Sequence, residues 1–249
     1  MANVLTTETR PMAASAPKKR RHPVPSPFLK WVGGKRQLLE HLLAFAPQNF
    51  NAFHEPFVGG GALFFALQRS TRLQGKRDSI SDINGELIGT YQAIQHDVDG
   101  VITALQIHKN HHSKDYYYQV REQNPRSPAK RAARMIYMNR TGFNGLYRVN
   151  SKGKFNVPFG SYKNPRICDE ENLRAVHEAL RGVKIRQEPY LETVKRARAG
   201  DFVYFDPPYV PVSNTANFVS YAKDGFSMTD QDKLANTFKR LVDKGVFVM

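Results

Sequence analysis

The residues best suited to chemistry lie in FVYFDPPY, residues 202–209, where an acid, two prolines and an aromatic ring follow four residues typical of a buried strand. Pro207 and Pro208 lack a backbone N–H and therefore end the pairing of that strand. Ligands of open α/β sheets bind at the carboxyl ends of the strands. There the Asp206 carboxylate and the Pro207 carbonyl can accept both hydrogens of an amine, while Tyr209 stacks on the ring that carries it. The competing interpretation is a turn without a chemical role.

A glycine turn, VGGG at residues 58–61, follows the predicted strand FHEPF and precedes a helical pattern. Glycines let a backbone approach a ligand closely, and Asp82 stands about twenty residues later, where nucleotide-binding folds place the acid that holds ribose hydroxyls. A plain tight turn explains the glycines equally well. The second glycine signal, KWVGGKRQ, is not a phosphate loop, because Leu29 stands at the position of the first glycine and Arg36 follows Lys35 where a hydroxyl is required.

The rest of the chain alternates predicted strands and helices. SIS, VKIRQ, FVYF and VFVM are typical of strands, and RQLLEHLLAFA, DINGELIGTYQAI and the stretch before VFVM are typical of helices. Thr229 and Asp232 resemble a capping box that opens the last helix. Strands that alternate with helices predict a parallel sheet, and residues 97–180 interrupt this rhythm as an inserted helical and loop region. The residues expected on the buried helical faces are Leu38, Leu39, Leu42 and Leu43, then Leu87, Ile88, Tyr91 and Ile94, and finally Leu234, Phe238, Leu241 and Val242.

Composition narrows the class of partner. The 249 residues include 37 Lys and Arg and 22 Asp and Glu, a net charge of +15 that favours a polyanion. Nucleic acid is favoured over a membrane, because no segment approaches the roughly 18 apolar residues of a span. Cys168 is the only cysteine, which excludes an intrachain disulfide and fits a reducing compartment. Residues 1–26, with the run KKRR, predict a disordered basic tail that adds attraction to nucleic acid, with a nuclear-import address as the alternative.

A basic and aromatic segment, residues 139–166, holds six Lys or Arg, five aromatic residues and no acid. Such interleaving is typical of a surface that contacts DNA, because cations meet phosphates or guanine edges and rings stack or wedge between bases. VNSKGKFNV within it predicts a hairpin with its turn at Lys152 and Gly153. The alternative is a set of ordinary core residues at Phe143, Tyr147 and Phe159.

A histidine cluster, His108, His111 and His112, recurs at helical spacing. Three imidazoles at this spacing are capable of holding a metal ion, but no cysteine lies near them and a fourth ligand would have to be Asp115. We therefore expect a solvated, histidine-rich surface and no metal site.

Six blocks occur in a fixed order along the chain: FLKWVGGK, EPFVGGGALF, SDINGELI, NRTGFNGLYR, KFNVPFGSYKNP and DPPY. In this order they resemble the Dam family of adenine-N6 DNA methyltransferases, the D12 class, over about residues 27–249. The resemblance implies a Rossmann-like α/β methyltransferase fold with a parallel-type sheet and an inserted, mainly helical target-recognition domain. The catalytic domain would comprise 27–96 and 181–249, and the target-recognition domain 97–180.

The resemblance also implies S-adenosylmethionine as the methyl donor, double-stranded DNA as the partner and a monomer acting at the nucleoid of a bacterial or phage-infected cell. In it, Trp31 and Lys35 embrace the donor, Glu55 and the glycine turn shape its methionine pocket, and Asp82 holds its ribose. The implied donor-binding residues are Trp31, Lys35, Glu55, Phe57, Gly59, Gly61, Asp82, Ile83 and Asp206, and the implied catalytic residues are Asp206, Pro207, Pro208 and Tyr209.

For DNA, the resemblance implies that Phe143 fills the gap left by a flipped adenine, Asn144 contacts the exposed partner base and Arg148 reads a guanine. The recognition site would be GATC or a subset of it. The implied DNA-binding residues are Arg140, Phe143, Asn144, Arg148, Lys152, Lys154 and Pro158.

Two other functions stay open on the sequence alone. An RNA amino-methyltransferase would use the same Asp-Pro-Pro-Tyr geometry, and a DNA-binding remnant would lack a working donor site. The remnant is suggested by the end of the sequence at Met249, inside the strand that VFVM begins, where family members continue. Strands missing there would leave an open sheet edge.

Overall fold

The computed structural model describes residues 24–150, 152–208 and 226–249. Five strands in these residues form one sheet: β1 (Ala52–Glu55), β2 (Arg77–Asp82), β3 (Lys184–Gln187), β4 (Phe202–Val203) and β5 (Phe247–Val248). Every neighbouring pair is parallel, and the order is β3-β2-β1-β4-β5. This confirms the fold class that the alternation of strands and helices predicts.

Nine α-helices connect or flank the strands within the same residues. None of them has the length and apolar character needed to cross a membrane. Two short 3-10 turns, Arg36–Leu38 and Phe143–Gly145, accompany them. The helices are α1 (Leu39–Phe45), α2 (Ala62–Arg69), α3 (Gly85–His96), α4 (Val98–Asn110), α5 (Lys114–Glu122), α6 (Pro128–Thr141), α7 (Glu170–Leu180), α8 (Tyr190–Lys195) and α9 (Met228–Asp243).

The core forms where apolar strands meet apolar helix faces. All four residues of β1 are buried, as expected for the central strand of a parallel sheet. Phe53 packs against Phe50 and Phe202, with ring centroids 6.5 and 5.4 Å away. On α3 the predicted face is confirmed, because Leu87, Ile88, Tyr91 and Ile94 are all buried.

The helical region predicted at 97–180 contains α4, α5, α6 and α7. α6 packs on both α3 and α4, and α7 packs on α3. Buried residues of this region, such as Tyr117 and Tyr137, belong to the same hydrophobic cluster as Phe53 of β1. The helical region therefore shares its core with the sheet.

Two details of the predicted helices are wrong. The capping box of α9 is Ser227 with Asp230: the Ser227 hydroxyl accepts from the Asp230 N–H, and the Asp230 carboxylate accepts from the Ser227 N–H. SMTDQD contains a second pair with the same spacing, Thr229 and Asp232, so that spacing alone cannot choose between them. The predicted apolar faces are also partly solvent-exposed. The exposed residues are Leu38, in the 3-10 turn before α1, and Phe238 and Val242 of α9.

Candidate active site at the carboxyl edge of the sheet

Three acids lie at the carboxyl ends of adjacent strands. Glu55 is the last residue of β1, Asp82 is the last residue of β2, and Asp206 follows β4 by three residues. The chain proceeds from β1 through β2 to β3 on one side of the sheet, whereas β4 pairs with β1 on the other side. The strand order thus reverses between β1 and β4, which is where open α/β sheets bind ligands.

Asp206 forms an ion pair with Lys35, whose Nζ lies 2.6 Å from Asp206 Oδ1. The same ammonium donates to the carbonyl of Gly33 at 2.8 Å. Burial raises the pKa of Asp206, and the hydrogen bond and charge of Lys35 oppose that rise. Next to this acid, Pro207 is half-buried and Pro208 is exposed, whereas Tyr209 lies outside the described residues. Lys35 therefore favours the ionised, hydrogen-bond-accepting form of Asp206.

Glu55 is the most deeply buried of the three acids, with 2% of its surface exposed. Its Oε2 accepts the backbone N–H of Phe64, in the first turn of α2, at 3.1 Å. Burial raises its pKa well above the ordinary value, and the negative charge of Asp206 adds to this rise. A buried acid beside a second acid is suited to a positively charged ligand, which would stabilise the ionised form.

We expect Glu55→Gln to make the protein more stable at pH 8, by a margin that shrinks as the pH falls towards 4.5. The folded chain holds the Glu55 proton more tightly than the unfolded chain, so the stability that this proton contributes is present at low pH and lost as the pH rises through the raised pKa. Glutamine has no such proton and still accepts from Phe64. Thermal unfolding midpoints at pH 5 and pH 8 test this, and an equal difference at both values would contradict it.

The glycine turn after β1 needs glycine both for its backbone conformation and for its packing. Gly59 and Gly61 have φ of 46° and 67°, the left-handed region that favours glycine. A Cβ on Gly59 would lie 2.7 Å from Trp31 Cδ1, and one on Gly61 would lie 2.8 Å from the Tyr91 hydroxyl oxygen. The Tyr91 hydroxyl donates to the Gly59 carbonyl at 3.1 Å. The turn is thus packed directly between Trp31 and Tyr91.

Asp82 is bonded to this turn. Its Oδ2 accepts the Gly59 N–H at 3.2 Å, and its Oδ1 accepts the Asn84 N–H at 3.0 Å. Burial raises the pKa of Asp82, and these backbone donors oppose the rise. The neighbouring Ile83 is 59% exposed. Asp82 therefore fixes the glycine turn in place as well as presenting carboxylate oxygens at this edge of the sheet.

An aromatic cluster that the sequence motifs did not indicate surrounds Phe57. Tyr190 stacks on Phe57 at 5.3 Å, and the rings of Phe205 and Phe226 meet Phe57 edge-on at 6.3 and 6.2 Å. Phe205 belongs to the strand motif itself, but no sequence pattern links Tyr190 or Phe226 to it. These rings pack on one another, and Phe205 directly precedes Asp206 in the chain.

The predicted hairpin at Lys152 and Gly153 is confirmed by an antiparallel bridge between Val149 and Phe155. Gly153 has φ of 73°, as the turn requires. Lys152, Lys154 and Pro158 are exposed. Arg148 spans the hairpin, donating from Nε to Asn156 Oδ1 at 2.8 Å and from Nη2 to the Asn156 carbonyl at 3.3 Å.

The aromatic residues of the segment divide into two groups. Phe143 is 50% exposed and precedes Asn144, which has φ of 52°. Tyr147 stacks on Trp31 with ring centroids 5.9 Å apart, and Phe159 packs partly buried against the core. The alternative of ordinary core packing therefore applies to Tyr147 and Phe159, and Phe143 alone of these three presents its ring to solvent.

Asn139 holds the amino-terminal segment against this region. It is fully buried; its Nδ2 donates to the carbonyls of Lys30 and Gly145 at 2.8 and 2.7 Å, and its Oδ1 accepts the Lys30 N–H at 2.8 Å. Arg140 donates from Nε and Nη2 to the Phe28 carbonyl at 3.1 and 2.7 Å. The position of Trp31 is thus set by α6, a role for Asn139 that no sequence pattern indicated.

The histidine cluster differs from the predicted solvated surface. His108 is buried. A hydrogen bond of 2.8 Å joins its Nδ1 to the Tyr116 hydroxyl oxygen, and its ring stacks on that of Tyr137 with centroids 4.9 Å apart. Burial lowers its pKa to about 4. The prediction fails for His108 because its ring packs against Tyr116 of α5 and Tyr137 of α6. Among the described residues, no group of three or more His, Cys, Asp and Glu side chains is placed to hold a metal ion.

Comparison with known proteins shows the family of this chain. The family model of the D12 class N6 adenine-specific DNA methyltransferases matches residues 31–249. The type II methyltransferase M1.LlaDCHI of Lactococcus lactis is 47% identical over 231 residues, covering 90% of this chain and 79% of that protein. M.MjaIII of Methanocaldococcus jannaschii is 42% identical, with 90% and 82% covered, and the DNA adenine methylase of Escherichia coli is 36% identical, with 89% and 78% covered. The chain therefore belongs to the D12 class of N6 adenine-specific DNA methyltransferases.

Proposed function

We propose that this chain transfers a methyl group from S-adenosylmethionine to N6 of an adenine flipped out of double-stranded DNA, within GATC or a subset of it. The observation that carries the proposal is the position of Asp206. It lies where the strand order reverses, bonded to Lys35 and close enough to Glu55 for their charges to interact. Family membership supplies the reaction class, and this arrangement supplies the groups suited to it.

The amino group of adenine is a weak nucleophile because its lone pair is conjugated with the ring. Asp206 and the Pro207 carbonyl would each accept one N–H, which directs the lone pair out of the ring plane. As the N–C bond forms, the bond between the methyl carbon and the donor's sulfur would break and leave its electron pair on sulfur as a neutral thioether. Positive charge then develops on N6, and the Asp206 carboxylate stabilises it. One proton then leaves N6 through the carboxylate to water. Orientation and charge stabilisation suffice, without a covalent intermediate on the protein.

The methyl donor, when bound, supplies an electrophilic carbon on a positively charged sulfur. The residues present fit such a ligand, because a buried acid, Glu55, lies beside a second acid at a turn whose backbone is held open by Gly59 and Gly61. Trp31 packs against Gly59 of that turn, and Asp82 accepts the Gly59 N–H. Lys35 opposes the rise that burial causes in the pKa of Asp206, and the incoming amine would replace Lys35 as the hydrogen-bond donor.

Recognition of DNA is proposed for the segment around the hairpin. Phe143 offers an exposed ring for the space that a flipped adenine leaves, and extrusion of the base is what lets it reach Asp206. The exposed Lys152 and Lys154 are suited to phosphates. Arg140 is bonded to the Phe28 carbonyl, so we propose that it acts on DNA binding by holding the amino-terminal segment.

Arg148→Ala should relax the preference for guanine in the site. A bidentate contact from arginine to guanine contributes about 1 to 3 kcal/mol of discrimination, which is roughly 5- to 150-fold. The ratio of kcat/KM on a GATC duplex to that on a duplex with the guanine replaced measures this. Asn156→Ala is the matched control, because it removes the bond from Arg148 to the Asn156 side chain and leaves the guanidinium. Equal losses on both duplexes in Arg148→Ala would count against base reading.

The proposed function as a whole is tested by transfer of labelled methyl from S-adenosylmethionine to three substrates: an unmethylated GATC duplex, a duplex with the site scrambled, and an RNA duplex of the same sequence. Transfer to the first alone is expected. Equal transfer to the scrambled duplex would overturn the GATC assignment. Absence of transfer by a folded sample that still binds DNA would overturn the activity and favour a DNA-binding remnant.

A further inference from the structure

Tyr91 of α3 carries a buried hydroxyl that the proposed methyl transfer does not use. The side chain is fully buried, with its ring edge-on to Phe28 at 4.8 Å and stacked on Phe65 at 6.5 Å. A phenylalanine would satisfy these ring contacts, so packing alone does not explain the hydroxyl. Its oxygen lies 3.1 Å from the Gly59 carbonyl oxygen, in the glycine turn after β1. The hydroxyl is therefore directed at the backbone of the candidate donor site.

The surroundings of this hydroxyl keep it a hydrogen-bond donor. Burial raises the pKa of Tyr91 well above the ordinary value for tyrosine, and the negative charges of Glu55 and Asp82 add to the rise. The proton therefore stays on the phenol oxygen near pH 7. A carbonyl has no proton to donate, so the bond to Gly59 can only run from the hydroxyl to the carbonyl.

Two hydrogen bonds fix the conformation of Gly59. Its N–H donates to Asp82 Oδ2 at 3.2 Å, and its carbonyl accepts from Tyr91. The first bond holds the peptide before the Cα atom, and the second holds the peptide after it. Glycine populates positive and negative φ about equally, so the residue type alone does not select the observed φ of 46°. The two side-chain bonds therefore favour this conformation over the others that glycine can adopt.

The bond from Tyr91 also determines where the next N–H points. The peptide between Gly59 and Gly60 is trans, since the described residues contain no cis peptide bond, and a trans peptide directs its C=O and N–H in opposite directions. Because the Gly59 carbonyl faces Tyr91, the Gly60 N–H points away from Tyr91. Gly60 is half-buried, whereas Gly59 and Gly61 are buried. No acceptor among the described residues takes the Gly60 N–H, which leaves it for a ligand.

We propose that Tyr91 is a positioning residue for methyl transfer: its hydroxyl holds the peptide between Gly59 and Gly60 so that the Gly60 N–H donates to the carboxylate of the bound methyl donor. The role rests on the proposed function, in which S-adenosylmethionine is that donor. Without the hydroxyl the peptide is free to rotate, and rotation would replace the N–H at the site with the Gly59 carbonyl oxygen. A carboxylate is attracted by an N–H and repelled by a carbonyl oxygen. Tyr91 thus acts on the donor through the backbone, without touching it.

Tyr91→Phe tests this role, because it removes the hydroxyl and keeps the ring contacts. Calorimetry on the full chain without DNA compares S-adenosylmethionine with decarboxylated S-adenosylmethionine, which differs from it only in lacking the carboxylate. Tyr91→Phe should weaken binding of S-adenosylmethionine about tenfold or more, the loss expected of one hydrogen bond to a charged group. Binding of the decarboxylated ligand should change by less than about twofold, because it has no carboxylate for the Gly60 N–H to meet.

The matched control is Tyr137→Phe, which also removes the hydroxyl of a fully buried tyrosine, one joined to His112 Nδ1 by a hydrogen bond of 3.0 Å. It should leave the affinity for both ligands unchanged. Equal weakening of both ligands in a folded Tyr91→Phe protein would mean a merely structural role and overturn the proposal, as would unchanged binding of S-adenosylmethionine. Failure of the unsubstituted chain to bind S-adenosylmethionine would overturn the proposed function itself, and the role of Tyr91 with it.

Discussion

Asp206→Asn should lower kcat for methyl transfer by about 10²- to 10³-fold, the usual effect of removing one group that stabilises transition-state charge. Asparagine keeps an oxygen that accepts an N–H, but it removes the negative charge that faces the developing charge on N6. It also removes the ion pair with Lys35. Single-turnover transfer of labelled methyl to the GATC duplex measures the effect.

Binding of the duplex separates this role from a structural one. Affinity for the GATC duplex, followed by fluorescence anisotropy, should change little in Asp206→Asn. The control is Asp232→Asn, which makes the same substitution at an exposed position of α9 and should leave kcat within about twofold. A kcat loss below tenfold in a folded Asp206→Asn protein would refute the proposed charge stabilisation.

Asn139→Ala should lower the free energy of unfolding by about 2–4 kcal/mol, because it leaves buried backbone groups without partners. The groups concerned are the N–H and carbonyl of Lys30 and the carbonyl of Gly145. Urea unfolding measures the loss. We also expect weaker binding of S-adenosylmethionine. Asn139 holds Lys30, and the next residue, Trp31, packs on Gly59 of the glycine turn.

An exposed asparagine provides the matched control for this change. Asn124→Ala, in the loop between α5 and α6, should change stability by less than about 0.5 kcal/mol. If Asn139→Ala and Asn124→Ala unfolded at the same urea concentration, the hydrogen bonds of Asn139 to Lys30 and Gly145 would contribute no stability. An unchanged donor affinity in a destabilised Asn139→Ala protein would refute its effect on Trp31.

The sequence predicts the sheet well because the signals for it are local. Proline after FVYF ends β4 and puts Asp206 at a carboxyl edge, and the glycines of 58–61 mark the turn after β1. The periodicity of α3 predicts its buried face, because a helix packed on a sheet must bury one apolar stripe. Asp82 and Asp206 follow from the same alternation, whereas Glu55 is indicated by the family resemblance alone.

What the sequence could not predict depends on contacts between distant segments. Lys35 and Asp206 are 171 residues apart, and the side chain of Asn139 reaches a segment 109 residues earlier. Helical spacing also could not show that His108 turns toward tyrosines of two other helices. Phe238 and Val242 of α9 match the apolar helical period, yet both side chains are exposed among the described residues.

The position of Trp31 has a thermodynamic consequence. Its indole touches the glycine turn on one side and stacks on Tyr147, next to Arg148, on the other. A methyl donor that orders the glycine turn would therefore also order the Trp31 ring, on which Tyr147 stacks. Linkage makes any such coupling reciprocal, so the factor by which a bound donor raises the affinity for DNA is also the factor by which DNA raises the affinity for the donor. Cooperative loading of the two substrates would then be a property of one tryptophan and not of a moving domain.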